Sequence, residues 1–134
     1  MSLFNIFNIA GSGMSAQSVR LNLTASNLAN SESVASTPDA AYKARHPIFK
    51  SVLNEALNGA AVRTAGVVES QVKGAARYAP GHPMADAKGY VYASNVNPID
   101  EMANMISASQ SYQQNVEIMN TSKELLLRTL RLGE

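Results

Sequence analysis

Cysteine and tryptophan are absent from this chain. No disulfide framework and no thiolate metal site can form, and the redox compartment stays undecided on that ground. Charge is scarce at the start, where Arg20 is the single charged side chain in residues 1–30. With a net charge of +1 and no cluster of Lys or Arg, the chain lacks the phosphate-neutralising patch that nucleic-acid binding requires. Long apolar runs are missing too. Leu3, Phe4, Ile6, Phe7 and Ile9 are interrupted by Asn5 and Asn8, and no Lys or Arg precedes them. A cleavable secretion signal needs a cationic start and an unbroken apolar stretch, and a membrane span needs about 20 apolar residues. The N-terminal segment therefore reads as part of the mature protein, so export would need another route.

What the chain does have is apolar residues spaced at helical intervals near both ends. Phe7, Met14, Leu21 and Leu28 recur every seven positions near the start. Near the end, one row runs Met102, Ser109, Val116, Lys123 and Leu130, and a second runs Met105, Tyr112, Met119 and Leu126. Read as positions a and d of a heptad, they make a coiled-coil seam with two polar interruptions, and Ile106 and Leu127 widen the stripe beyond a two-helix contact. An ordinary buried helix would carry the same stripe, and length separates the two readings. A compact fold of this size is about 36 Å across, whereas a helix from Pro98 to Leu132 is about 52 Å long. Residues 31–97 are too few to clothe two such helices.

The end signals of the last helix are explicit. Asn97 can cap it, Pro98 suits its first turn, and Asp100 sits where a capping acid stands. Asp100 and Glu101 favour the positive end of the dipole, Lys123, Arg128 and Arg131 the negative end, and Gly133 is a natural stop. In the first helix Gly11 and Gly13 each weaken helix formation by about 1 kcal/mol relative to Ala. The small residues Ala10, Gly11, Ser18 and Ala25 would let a neighbouring helix come close.

The middle has a different texture. Thr37-Pro38-Asp39 is a turn signal. Tyr42–Phe49 reads as a short extended segment broken by Pro47, hence an edge or interrupted strand, Ser51–Leu57 as a brief helix ending at Asn58-Gly59, Ala61–Val72 as strand around a kink at Gly66, and Tyr90–Tyr92 as a further strand. The expected fold is mainly α, with long N- and C-terminal helices packing as a coiled-coil-like pair and a small β-rich or extended middle region. Its parts are an N-terminal assembly helix over 1–30, the middle region over 31–97, and a long C-terminal helix over 98–134. Candidate subunit-interface residues are Phe7, Met14, Leu21, Leu28, Met102, Met105, Ile106, Tyr112, Val116, Met119, Leu126, Leu127 and Leu130.

Catalytic constellations do not emerge. His46 and His82 are each followed by Pro, and no partnered nucleophile accompanies His82 and Asp86. Gly11-Ser-Gly13 has no preceding strand and no following Lys-Ser/Thr, so it opens no phosphate loop. Asp39, Asp86 and Asp100 fall in turns or caps without metal-ligand spacing. Asn22-Leu-Thr24 and Asn120-Thr-Ser122 match glycosylation sequons but lie on predicted helices. The residues point to no enzyme, no cofactor, no metal, no nucleic acid and no small-molecule substrate. Assembly is the leading reading. The alternative is a stand-alone module dimerising through its C-terminal coiled coil.

Specific stretches also resemble a known family, the bacterial flagellar basal-body rod proteins, and those of the proximal rod in particular. Ala25-Ser-Asn-Leu-Ala-Asn30 is similar to the family's Asn-x-x-Asn signature, and Tyr42-Lys43-Ala44-Arg45 to its Tyr-Arg stretch. Pro80-Gly81-His82-Pro83-Met84-Ala85-Asp86, then Gly89-Tyr90-Val91 and Asn95-Val96-Asn97, carry the most specific part. Glu101-Met102, Met105–Ser109, Tyr112-Gln113, Asn115-Val116, Asn120-Thr121, Lys123 and Leu130–Gly133 resemble the shared C-terminal helix. Departures are small: Ala79 stands where the family has Asp, Gln110 where Arg is common, Gln114 where Ala is common, and Ala40-Ala41 lack the usual Gly. The resemblance implies a structural subunit of the periplasmic proximal rod, the shaft that passes motor torque to the hook around a central export channel. It further implies unfolded export by the flagellar type III apparatus without a cleaved signal. The implied partners are its own copies, the rod subunits FlgB, FlgF and FlgG, and the rod-base protein FliE.

Overall fold

The computed structural model describes residues 3–54 and 59–132. Two helices dominate: α1, Leu3–Ala29, and α2, Pro98–Leu132. Between them lie β1, Val34–Ala35; β2, Arg45–Asn54; β3, Gly59–Glu69; β4, Ala76–Tyr78; and β5, Tyr90–Ala93. The expected helix pair with a small β region is the observed architecture.

The cap of α2 forms as its residues dictate. The Ile99 backbone N–H donates to Asn97 Oδ1 at 3.1 Å, and the Asn97 side-chain amide donates to Asp100 Oδ2 at 2.8 Å. Gly133 lies outside the described residues. The helices run antiparallel: Asn27 meets Glu101, Gly13 lies beside Asn115, and Ile6 shares a groove with Ser122. The last turns of α2 therefore project past the start of α1. Their close approach has a cause at Gly13, where a Cβ would stand 3.0 Å from Asn115 Oδ1. Gly13→Leu should force the helices apart and destabilise the chain by about 1–3 kcal/mol, measured as a lower denaturation midpoint. Gly11→Ala, where a Cβ meets open space, should instead be neutral or stabilising.

The β elements form two sheets. β1, β5 and β4 make an antiparallel three-stranded sheet in that order, and β2 and β3 a two-stranded hairpin. One expectation needs correction here. Over Ser51–Asn54 the expected helix is strand instead, with Ser51 opposite Val62, Val52 opposite Ala61 and Leu53 opposite Ala60. Residues 55–57 lie outside the described residues. Cross-strand pairing overrides a weak helical preference there, and Asn58 lies outside the described residues. β2 is the edge strand that Pro47 permits: both strands of a two-stranded sheet are edges, where a missing N–H is tolerated. The kink at Gly66 is real. Ile48 pairs with Gly66 but Phe49 with Thr64, so Ala65 is the extra residue of a bulge.

The interior is made of small side chains. The buried apolar residues are Ala10, Ala16, Ala35, Ala41, Ala44, Val91, Val96 and Ala108, whereas Ile48, Leu53, Val67, Ile99, Ile106 and Leu130 are exposed. The chain exposes 9093 Å², against about 6800 Å² for a compact monomer of this mass. No described helix is long and apolar enough to cross a membrane.

Candidate assembly interface

At the junction of the helices and the middle region, polar groups fix the arrangement. Asn27 is 1% exposed and Glu101 4%. Asn27 Nδ2 donates to the Arg45 carbonyl at 2.9 Å and to Glu101 Oε2 at 3.0 Å. Its Oδ1 accepts from the Arg45 backbone N–H at 2.9 Å and the Tyr42 hydroxyl at 3.1 Å. One amide thus ties the end of α1, the start of β2 and the first turn of α2. Asn30, the second Asn of the signature, donates to the Ser26 carbonyl at 2.8 Å and finishes α1. Asn95 repeats the device next door: its Oδ1 accepts from the Ala44 N–H at 2.7 Å, and its Nδ2 donates to the Val72 carbonyl at 2.6 Å. Farther along α1, the Arg20 guanidinium reaches Asn104 Oδ1 at 2.9 Å.

The turn before β5 has its own clamp. Asp86 Oδ1 accepts from the backbone N–H groups of Lys88 at 2.8 Å and Tyr90 at 2.9 Å, and Oδ2 accepts from the Tyr92 hydroxyl at 3.1 Å. Gly89 adopts a φ of 80°, a left-handed turn position that other residues resist. The Tyr90 N–H is the main reason that the Asp86 carboxyl stays below the ordinary carboxylate value, and the hydrogen bond to Asp86 holds the Tyr92 phenol above its own. The Asp86 contribution is therefore complete above the ordinary carboxylate value and lost as pH falls through the lower folded value. Protection of the Tyr90 amide, relative to its intrinsic exchange rate at the same pH, should fall in strongly acidic solution and, in Asp86→Ala, at every pH. The His82 ring nitrogen Nδ1 accepts from the Met84 N–H at 3.1 Å, a local turn contact. Among the described residues no three His, Cys, Asp or Glu side chains gather to hold a metal.

The seam of α2 follows from burial. Glu101, Ala108 and Ser122 are buried and Met105, Tyr112, Asn115, Met119 and Leu126 half-buried, at alternating spacings of four and three. The row Met105–Tyr112–Met119–Leu126 is one edge of that seam, as its periodicity implies. The other edge is Glu101–Ala108–Asn115–Ser122, one residue before the apolar row that the sequence pattern selects. Small and polar side chains at these positions hide the true seam from a hydrophobic count. Phe7, Met14, Leu21, Leu28 and Val116 are half-buried. Met102, Ile106, Leu127 and Leu130 are exposed, at 52%, 60%, 46% and 63%, and Ile99, which the sequence pattern did not single out, is 76% exposed. The candidate residues thus divide into those half-buried in the single chain and those that the chain leaves open. On α1 the open side is uncharged, with Asn8, Ser15, Ser18, Asn22, Ala25 and Ala29.

The whole chain aligns with the whole of the flagellar basal-body rod protein FlgC of Escherichia coli O6:H1, at 50% identity over 136 residues. The chain belongs to the FlgC family of flagellar basal-body rod proteins. FlgC proteins of Yersinia enterocolitica and Salmonella typhimurium align over their full lengths at 48% identity. A family described as flagella basal body rod protein matches residues 7–34, and one described as flagellar basal body rod FlgEFG protein C-terminal matches residues 87–132. Those two stretches hold α1 from Phe7 onward with Asn27 and Asn30, and β5 with α2. They are the segments that the Asn27–Glu101 contact joins, and the β2–β3 hairpin lies outside both.

Proposed function

We propose that the chain is a structural subunit of the bacterial flagellar proximal rod, and that the open rows of α2 are the surfaces by which it assembles. The supporting observation is the excess of exposed area, with large apolar side chains outside and alanines inside, in a chain of the FlgC family. A solvated helix face carries interspersed Lys and Glu, yet residues 102–116 of α2 contain no charge at all. Neighbours supply the missing cover, and the entropy cost of ordering the ends is met on assembly.

In this reading residues 1–30 and 98–134 form the assembly unit and residues 31–97 the smaller middle region. The subunit sits in the periplasmic part of the rod, transmits torque, and helps enclose the export channel. It leaves the cell interior through the flagellar type III apparatus without a cleaved signal. Its neighbours are copies of itself, FlgB, FlgF and FlgG, and FliE at the base; it performs no catalysis.

Deleting the gene from its own host should abolish swimming, and a plasmid copy should restore it, with the chain recovered in purified basal bodies. Unimpaired swimming after deletion, or a chain absent from basal bodies, contradicts the proposal.

A further inference from the structure

We infer that the outer edge of β2 docks on the same edge of a second copy, the two strands running antiparallel about Ser51 to make a four-stranded sheet with β3 on either side. In an antiparallel ladder a residue either exchanges both backbone bonds with its partner or turns both away, and the two kinds alternate. Arg45 turns both away, since its N–H and its carbonyl are bonded to Asn27 at 2.9 Å each. Pro47, Phe49, Ser51 and Leu53 are therefore of the same kind. Below the bulge Val62 gives that answer by a separate route: its N–H donates to Ser12 Oγ at 3.1 Å, so Val62 and Ser51 opposite it both face outward. The two edges of the hairpin thus differ. That of β3 is met by α1 at Ser12, whereas the outward N–H and C=O groups of Phe49, Ser51 and Leu53 have no partner among the described residues. Residues 49–53 are exposed without a break.

Such an edge takes an extended strand, and the sequence of β2 fits itself. Pro47, with no N–H to offer, closes the edge toward Arg45 and confines pairing to residues 49–53. Centred on Ser51, the register sets Phe49 opposite Leu53 of the second copy, Lys50 opposite Val52, and Ser51 opposite Ser51. All three outward residues then find partners, and the one charge in the stretch meets an apolar side chain. Centred on Lys50 instead, the register would set lysine against lysine and Pro47 against Leu53. Phe49 and Leu53 lie on one face of the hairpin with Val62. Pairing brings the two together across the dyad and covers side chains that are 37% and 68% exposed in the single chain. A two-fold contact closes on itself, and the outer edges of the new sheet are β3 strands already met by α1, so it stops at two copies. Five residues a side make a small, transient interface, below about 1,200 Å². The pairing belongs to the free chain and does not rest on the assembly reading above.

The absence of native cysteine makes the register testable. Opposite Cα atoms in a hydrogen-bonded pair stand about 5.5 Å apart, within disulfide reach, whereas Cα atoms more than about 7 Å apart cannot be bridged. The full-length Ser51→Cys chain, oxidised with diamide at rising protein concentration, should give a disulfide dimer and nothing larger. Phe49→Cys and Leu53→Cys should each give little alone and a dimer when mixed, because those positions face each other and not themselves. Adding Ser51→Pro to both members of the mixture removes the central N–H from each copy and leaves the bonds to β3 in place. It should cut the dimer about tenfold, with the circular dichroism unchanged. As much dimer from Phe49→Cys alone as from Ser51→Cys, a mixture indifferent to Ser51→Pro, or no dimer at any concentration overturns the inference. A Ser51→Cys thiol that never pairs in the free chain but is shielded from a soluble maleimide in purified basal bodies would give the edge to a rod neighbour, and overturns it equally.

Discussion

Asn27→Asp is expected to lower the thermal midpoint by roughly 10 °C at neutral pH. The substitution keeps the oxygen that accepts from Tyr42 and Arg45 but removes the amide that donates to the Arg45 carbonyl and to Glu101. In its place a second carboxylate faces Glu101 across a gap that now measures 3.0 Å between donor and acceptor. Burying an uncompensated charge costs about 3–5 kcal/mol. The two carboxyls would share a proton and hold it to higher pH in the folded chain than in the unfolded one. The penalty is then full at high pH and shrinks as pH falls through the raised folded value. Asn27→Ala differs in kind. It strands the same partners without adding a second carboxylate, so it should cost less, about 1–3 kcal/mol. Equal loss at both pH extremes for Asn27→Asp would mean that Glu101 is not held against Asn27.

Met102→Asp/Ile106→Asp should abolish swimming while leaving the isolated chain as stable as before. Both side chains are more than half exposed, and surface changes away from caps and cores stay within about 0.5 kcal/mol. In an assembly the same carboxylates would be buried without partners, at about 3–5 kcal/mol for an uncompensated charge, and each is repeated in every copy. Val116→Asp is the contrasting variant. Val116 is half-buried in the single chain, so that change should lower chain stability as well as swimming. Normal swimming with Met102→Asp/Ile106→Asp would show that this row meets no neighbour.

The helices were legible because their signals are local. Asn97-Pro98 with Asp100 starts α2 by chemistry that needs no partner, and the seven-residue rows persist over its whole length. The hairpin was half legible: valines and the Gly66 kink marked β3, but the helical composition of Ser51–Leu57 outweighed a pairing visible only with Gly59–Val62 opposite. β1 and β4 are too short to carry a period and exist because β5 pairs with both. The family signature around Asn27 could be read as a signature, but its role could not. What makes Asn27 central is a contact with Glu101, 74 positions away. A clue was present in Glu101, which stands four before Met105 and seven before Ala108, on the stripe where an apolar residue is expected. The seam within the chain has one edge a residue before an apolar row, because the α1–α2 approach is set by glycine, alanine and serine rather than by leucine.

The most direct test of the whole account is the accessibility of position 106 before and after assembly. In Ile106→Cys, the thiol should react rapidly with a soluble maleimide in the free chain and should be protected in purified basal bodies, while a cysteine at Lys88, on the exposed turn before β5, stays reactive in both. Equal reactivity of position 106 in both states would contradict the claim that α2 is left open for neighbours to cover.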